Sequence, residues 1–163
     1  MDVTEHSCTS PSENLEVSIK YHDSYNLEKF GELKLACEGD AGFDLRSVHK
    51  NLVSLYPGER LAINTGISLA VPYGYHVEIR PRSGLAFNHM ITVLNTPGTI
   101  DSGYRGEIKV ILINHSQTAF SINYGDKIAQ AVFIKHSIPT FIKVDELDKT
   151  ERGEGRYGHT GSQ

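Results

Sequence analysis

Five short segments of the sequence place glycine beside charged or polar side chains, a composition typical of ligand-holding loops. They cover residues 41–47, 81–86, 98–110, 125–130 and 152–161. Glycine lets the backbone approach a ligand closely and adopts positive φ, while the charged neighbours supply the chemistry. Five such segments in 163 residues predict a site assembled from loops on a rigid scaffold.

The second segment has the residue types of an anion site. Arg82, Ser83 and Gly84 combine a guanidinium, a hydroxyl and the start of a predicted helix, which together suit a phosphate. The sequence has no GxxxxGK[ST] pattern, so the segment is not a P-loop. Taken alone, an ordinary helix capped by Ser83 beside a solvated arginine is the simpler interpretation.

The third and fourth segments each leave two interpretations open. Ile100 and Tyr104 predict a hairpin loop that forms a slot for a flat ring, with Asp101 beside it. The alternative is a β-hairpin whose aspartate caps its own turn. Gln130 lies in an apolar run, where a buried amide needs partners. It could contact a phosphate or tie down a neighbouring loop.

Composition excludes several classes of protein. The formal net charge of −4 gives no basic footprint for nucleic acid. No apolar run reaches the ~20 residues of a membrane helix, and the first residues lack the pattern of a signal peptide. Cys8 and Cys37 form no CxxC pair, which favours free thiols in a reducing compartment. We therefore expect a cytoplasmic protein that binds neither membrane nor nucleic acid.

The rest of the chain has the pattern of an all-β domain with one short helix at residues 83–87. Polar residues 1–14 indicate a flexible arm. Apolar and β-branched runs separated by Pro and Gly predict many short strands, as in a sandwich or barrel. The predicted strands cover residues 15–21, 61–63, 67–71, 75–79, 107–114, 118–122, 128–134 and 140–144.

The five segments together resemble the five motifs of the trimeric deoxyuridine triphosphatase (dUTPase) family, in the family's order. They read AGFDLRS, PRSGLA, GTIDSGYRGE, GDKIAQ and RGEGRYGHTG. The last departs most: Arg156, Tyr157 and His159 stand where the family usually has glycine, phenylalanine and serine. Tyr157 keeps a flat ring for stacking, whereas Arg156 adds a charge and restricts the backbone.

The resemblance implies a distorted jelly-roll β-barrel with a short helix and a glycine-rich tail. Its expected parts are an arm at 1–14, a β domain at 15–150 and a mobile lid at 151–163. It further implies a homotrimer in which each active site is shared between chains. Because ordering a glycine-rich segment costs ~1–2 kcal/mol per residue, we expect the lid to close only over bound nucleotide.

The implied reaction is hydrolysis of dUTP to dUMP and diphosphate, which limits uracil in DNA and supplies dUMP for dTTP synthesis. Asp101 would be the general base that directs water at the α-phosphorus. Mg²⁺ would sit on the phosphate oxygens. Asp44 would contact the ion through a water molecule, and the alternative is that Asp44 only fixes its own loop. By resemblance, the substrate-binding residues are Arg82, Ser83, Gly84, Asn95, Gly98, Thr99, Ile100, Tyr104, Lys109, Gln130, Arg152 and Tyr157.

Two other functions remain open at this point. A dCTP deaminase of the same fold would need a glutamate base, and it typically has another residue where Gly84 follows Arg82-Ser83. A nucleotide-sensing regulatory protein would be expected to lose Asp101 or the tail. A metal hydrolase that uses the histidines is disfavoured by spacing, because His76, His89, His115 and His136 form no HxH or HxxxH pair.

Overall fold

The computed structural model describes residues 14–154, which form short antiparallel strands and two short helices. The four-stranded sheet has the order β2-β11-β6-β8 and the three-stranded sheet the order β4-β9-β7. Two further pairs are β1-β5 and β10-β3. The elements are β1 Ser18–Tyr21, α1 Leu27–Phe30, β2 Gly42–Arg46, β3 Val53–Leu55, β4 Arg60–Asn64, β5 Ile67–Ala70, β6 Tyr75–Arg80, α2 Ser83–His89, β7 Ile91–Val93, β8 Gly98–Ile100, β9 Lys109–Asn114, β10 Phe120–Ile122 and β11 Lys127–Lys135.

The hydrophobic core lies between the sheets and is built from alternate residues of the strands. In β9, Val110 and Leu112 are buried, because successive side chains of a strand point to opposite faces. Isoleucine, valine and leucine dominate the core, as expected for strands packed on one face. Its largest fully buried side chains include Leu45, Leu55, Ile63, Ile67, Ile91, Ile108, Ile122 and Ile128.

The four-stranded sheet carries its polar residues on one face. In β11, Gln130 lies opposite Asp44 of β2 on one side and Arg80 of β6 on the other. Glu78 lies opposite Thr99 of β8. Directly opposite residues share a face, so this register gathers charged and amide side chains from four strands on one surface.

The structure confirms the predicted strands up to residue 134, since each predicted run contains an observed strand. Short strands β2, β3, β7 and β8 and the single turn α1 were not predicted. The strand predicted at 140–144 is wrong. Phe141 and Ile142 are 92% and 82% exposed, and no strand within residues 14–154 pairs with this segment.

Helix α2 begins one residue earlier than the capping prediction requires. Arg82 is its N-cap, and Ser83 is the first helical residue, so the predicted capping role of Ser83 is wrong. The Arg82 side chain makes no capping hydrogen bond to this helix. In the part of the chain that the structure describes, neither helix has the length and apolar character needed to cross a membrane.

Candidate active site

A cleft of about 350 Å³ at one end of the four-stranded sheet unites three of the five segments. The first segment contributes β2, the second the residues that lead into α2, and the fourth the start of β11. The predicted site residues Asp44, Arg82, Ser83, Gly84 and Gln130 all line it. Its other lining residues are Ala36, Asp40, Ala41, Gly42, Arg80 and Val132.

Asp44 holds two cations at the wall of this cleft. Arg82 donates from Nε to Oδ1 at 2.9 Å, and Lys127 Nζ lies 2.5 Å from Oδ2. Arg82 also donates from Nη1 to the Lys127 carbonyl at 3.4 Å. The three side chains carry a net charge of +1. A guanidinium has five N–H donors, so Arg82 retains donors for an anionic ligand while Asp44 fixes its orientation.

Gln130 ties down the loop that precedes Arg82. Its Nε2 donates to the Pro81 carbonyl at 2.9 Å. A Cβ at Gly42 would overlap Gln130 Oε1, so the glycine leaves the space that the amide occupies. The structure thus supports the loop-tying interpretation of Gln130, and the same side chain also lines the cleft.

Arg80 reaches the same cleft but is paired with Glu78. Its Nε and Nη2 donate to Glu78 Oε2 at 2.7 and 2.5 Å. The hydrogen bond from Arg80, aided by its positive charge and by His76, holds the pKa of Glu78 below its usual value, against an opposing effect of desolvation. Outside the cleft, in the turn between β1 and α1, burial raises the pKa of Tyr25.

The segment that carries Asp101 is not the predicted hairpin. Strand β8 belongs to the four-stranded sheet, whereas the following strand β9 belongs to the three-stranded sheet, so residues 101–108 connect two sheets. Tyr104 donates from its hydroxyl to the Glu107 carbonyl at 3.0 Å and passes over Gly106, where a Cβ would clash with its ring. The Asp101 carbonyl accepts from the Tyr104 N–H at 3.0 Å.

The Asp101 carboxylate is exposed and has no hydrogen-bond partner among residues 14–154. The interpretation of Asp101 as a side-chain cap of its own turn is therefore not supported. Asn95 is exposed as well and packs its amide against Gly98, where a Cβ would come within 3.0 Å of Nδ2. Thr99 and Lys109 are also exposed, and Ile100 is half-buried.

Asp101 and Arg82 lie far apart within one chain. Ile100 is opposite Val77 in the β6-β8 register, and Arg82 lies five residues beyond Val77 along the chain. At about 3.3 Å per residue, this places the two ends about 17 Å apart. One chain therefore brings Asp44, Arg82, Ser83, Gly84 and Gln130 together and leaves the Asp101 segment elsewhere.

The tail is described only in part. Arg152 is exposed near the end of the described range, and Tyr157 lies outside it, as do most of the predicted arm and lid. Among residues 14–154, no group of three or more His, Cys, Asp or Glu side chains could hold a metal ion. The sequence analysis also missed Lys127, which contacts the cleft residue Asp44. Its signal is its place in the fourth segment, directly before buried Ile128.

Comparison with known proteins decides the family. The dUTPase family model matches residues 29–161. This chain belongs to the dUTPase family. Named deoxyuridine 5'-triphosphate nucleotidohydrolases are similar to it: that of Nautilia profundicola is 58% identical over 74% of this chain and 84% of its own length. That of Chlamydia pneumoniae is 49% identical over 83% of this chain and 95% of its own.

Solved dUTPase structures share the fold. The dUTPase of Staphylococcus bacteriophage 80alpha, solved with dUpNHpp, superposes with a TM-score of 0.78 over 90% of this chain and 98% of its own, at 23% identity. A dUTPase mutant from phage phi11 of S. aureus, described with a structural Mg(II) ion, gives 0.70 over 80% and 97%. The jelly-roll prediction is confirmed, and neither the deaminase nor the regulatory alternative is favoured.

Proposed function

We propose that this chain hydrolyses dUTP to dUMP and diphosphate by directing water at the α-phosphorus. The observation that carries the proposal is the cleft in which Asp44, Arg82, Ser83 and Gln130 meet at one end of the sheet. Membership of the dUTPase family and relatives named nucleotidohydrolases support the same reaction. The expected roles are limiting uracil in DNA and supplying dUMP.

Asp101 is the proposed general base. Its carboxylate is exposed and unpartnered within the described residues, so no bond among those residues competes with a water molecule for it. A well-placed base contributes about 10²–10⁴-fold to the rate. Accepting a proton from water as its oxygen approaches the phosphorus would leave Asp101 neutral and diphosphate as the leaving group.

The cleft of Arg82 is the proposed phosphate site. Arg82 is already oriented by Asp44 and donates its remaining N–H groups to phosphate oxygens, beside Ser83, Gly84 and the Gln130 amide. Since Asp44, Arg82 and Lys127 sum to +1, this ion-pair cluster alone does not balance a triphosphate of roughly four negative charges. Arg152 of the tail is proposed to add a further positive charge.

The Asp101 segment is the proposed nucleoside site. Asn95 and the backbone of Gly98, Thr99 and Ile100 would bond the uracil edge. Tyr104, held over Gly106 by its bond to the Glu107 carbonyl, would lie against the deoxyribose and leave no room for a 2′-hydroxyl. Tyr157 would stack on the base when the lid, residues 151–163, closes. Lys109 is the remaining proposed contact.

Mg²⁺ is the proposed cofactor, and it would enter the site already bound to the triphosphate. Both oxygens of Asp44 already contact cations of the chain, so this carboxylate does not fit as a direct metal ligand. Phosphate oxygens and water are the remaining ligands, which agrees with the reluctance of Mg²⁺ to lose water. When bound, the ion neutralises charge on the phosphates; Asp44 contributes by holding Arg82 and Lys127.

A homotrimer with shared sites is proposed because the Arg82 cleft and the Asp101 segment lie apart in a single chain. The Asp101 segment lies about 17 Å from Arg82 along the sheet, so Asp101 would serve the cleft of another copy. Exposed apolar side chains in α2 and in residues 141–147 support a contact between copies, since removing apolar surface from water favours association. They include Phe87, Phe141, Ile142 and Leu147, which are 82–92% exposed.

The cytoplasm is the proposed location, in keeping with bacterial relatives. Diphosphate release with dUTP, dCTP, dTTP and UTP, compared on the same preparation, tests the function. We expect turnover of dUTP with at least tenfold preference over each of the others. Equal hydrolysis of UTP would contradict the assigned role of Tyr104, and ammonia release from dCTP would instead identify a deaminase.

A further inference from the structure

Two histidines that lie 60 residues apart in the chain meet on the polar face of the four-stranded sheet. His76 Nδ1 and His136 Nδ1 are 3.0 Å apart, and their ring centroids are 5.0 Å apart. His76 belongs to β6, and His136 directly follows β11. The spacing in the sequence gives no sign of the pair, because the sheet register brings it together.

The backbone pairing places the two histidine residues beside each other. Ile134 pairs with His76 and Lys135 with Tyr75, and the His136 N–H donates to the Gly74 carbonyl at 2.9 Å, which extends the ladder by one residue. The His76 side chain is 18% exposed, whereas His136 is exposed. One ring is therefore held in place, and the other can rotate to direct its lone pair.

Glu78 orients the His76 ring. Its Oε1 lies 3.5 Å from His76 Nε2, and Glu78 is itself fixed by the hydrogen bonds from Arg80. A proton on Nε2, facing the carboxylate, leaves the lone pair of Nδ1 directed at His136. Histidines that bind metals usually present one nitrogen to the ion and donate from the other to a carboxylate or carbonyl.

The distance between the two Nδ1 atoms fits a shared metal ion. Metal–nitrogen bonds of about 2.0–2.1 Å to atoms 3.0 Å apart require an angle of about 95° at the ion. This angle is nearer to square-planar or octahedral geometry than to the tetrahedral geometry of zinc. Ni²⁺ and Cu²⁺ prefer such geometries with imidazole ligands.

We propose that His76 and His136 form a binding site for a divalent transition-metal ion of the Ni²⁺ or Cu²⁺ class, with Glu78 orienting His76. The remaining coordination positions would be filled by water, because no third His, Cys, Asp or Glu joins the pair within residues 14–154. Two imidazole nitrogens distinguish this site from the oxygen ligands of the proposed Mg²⁺. The ion would link β6 to the point where residues 137–154 leave the sheet.

Calorimetric titration of the full chain with Ni²⁺, in a buffer that does not bind metal, tests the proposal. We expect His136→Gln and His76→Gln each to lose one Ni²⁺ per chain, or to weaken that site at least tenfold. The double variant should lose no more than either single one. Glu78→Gln should weaken binding by about tenfold, because a lost carboxylate partner typically costs 10–100-fold in affinity.

His115→Gln is the matched control, since His115 is also exposed but lies outside the pair. It should bind Ni²⁺ as the parent does. His136→Gln is the deciding variant, because its side chain is exposed and its replacement leaves the strands intact. Unchanged Ni²⁺ stoichiometry and affinity in His136→Gln would overturn the proposal and leave the pair as a hydrogen bond between two imidazoles.

Discussion

The cleft around Arg82 is held by bonds between β2, β11 and the α2 loop, whereas the Asp101 segment is exposed and held mainly by its own loop. Arg82 contacts Asp44 and the Lys127 carbonyl, and Gln130 contacts Pro81. Asp101 has no side-chain hydrogen bond within residues 14–154. The proposed phosphate half of the site is thus preorganised in one chain, and the half that carries the proposed base is not.

This difference indicates separate roles for the Arg82 cleft and the Asp101 segment in the proposed enzyme. Fixed donors lower a barrier most when they need no reorganisation as the reaction proceeds. A base that acts on water beside a substrate held by another copy must itself be accessible, so exposure of Asp101 is consistent with that role. Changes at Asp101 should therefore affect turnover with little effect on stability, while changes in the cleft should affect both.

Replacing Asp101 by asparagine should have the largest effect. We expect kcat to fall about 10²–10⁴-fold, because the amide cannot accept the proton from water. The melting temperature should be unchanged, since no bond within the described residues depends on the carboxylate. Asp23→Asn, a change at another exposed aspartate, is the control and should retain parental kcat. A fully active Asp101→Asn variant would show that another group is the base.

Deleting residues 151–163 should have the next largest effect. If the tail closes over nucleotide and brings Arg152 to the phosphates, its loss removes at least one charge-assisted hydrogen bond, worth about 1.5–3 kcal/mol. We expect kcat/KM to fall by at least tenfold while thermal unfolding stays the same. Steady-state kinetics and circular dichroism measure both quantities. Parental activity in the truncated chain would rule out the lid.

Arg82→Lys probes the fork of the guanidinium separately from its charge. Lysine keeps the positive charge beside Asp44 but cannot contact Asp44 and a phosphate in the same planar geometry. We expect a loss in kcat/KM of about tenfold or more, corresponding to about 1.5 kcal/mol for a charged hydrogen bond. Arg60→Lys, at an exposed position of β4, is the control. Equal loss in both variants would contradict a specific role for Arg82.

Gly42→Ala should have the smallest effect and should lower stability and activity together. The new methyl group overlaps Gln130 Oε1, the movable end of a flexible side chain, so Gln130 must swing away and give up its bond to Pro81. Losing that bond costs about 1 kcal/mol. In a Gln130→Ala background the same change should have almost no effect on chemical denaturation. If the losses of stability from Gly42→Ala and Gln130→Ala simply add in the double variant, Gly42→Ala does not act through the bond between Gln130 and Pro81.

The sequence predicted the strands with a clear apolar or alternating pattern. It missed short strands that form only because they pair with a strand distant in the sequence. Strands β9 and β11 contain apolar runs rich in Ile and Val, and β6 alternates apolar with polar residues; both patterns favour a strand. Strand β8 is three residues long, and only its pairing with β6 defines it. Residues 140–144 have the same apolar composition but no strand of the described chain beside them, so local pattern alone gave the wrong prediction.

Resemblance predicted the individual residues of the candidate site, but it did not predict the hydrogen bonds and ion pairs between them. Sequence order cannot show that Asp44 bonds both Arg82 and Lys127, or that Gln130 reaches Pro81, because these contacts depend on the pairing of β11 with β2 and with β6. The same limit applies to His76 and His136, which spacing alone had dismissed.

Complementation between two inactive variants tests most directly the claim that each site combines two copies. Asp101→Asn and Arg82→Ala chains are unfolded together, refolded and assayed for diphosphate release from dUTP. Random assembly of a homotrimer would pair an intact Asp101 with an intact Arg82 at about one quarter of sites, so about a quarter of parental activity should return. Activity no higher than that of the separate variants would show that Asp101 and Arg82 act from the same chain.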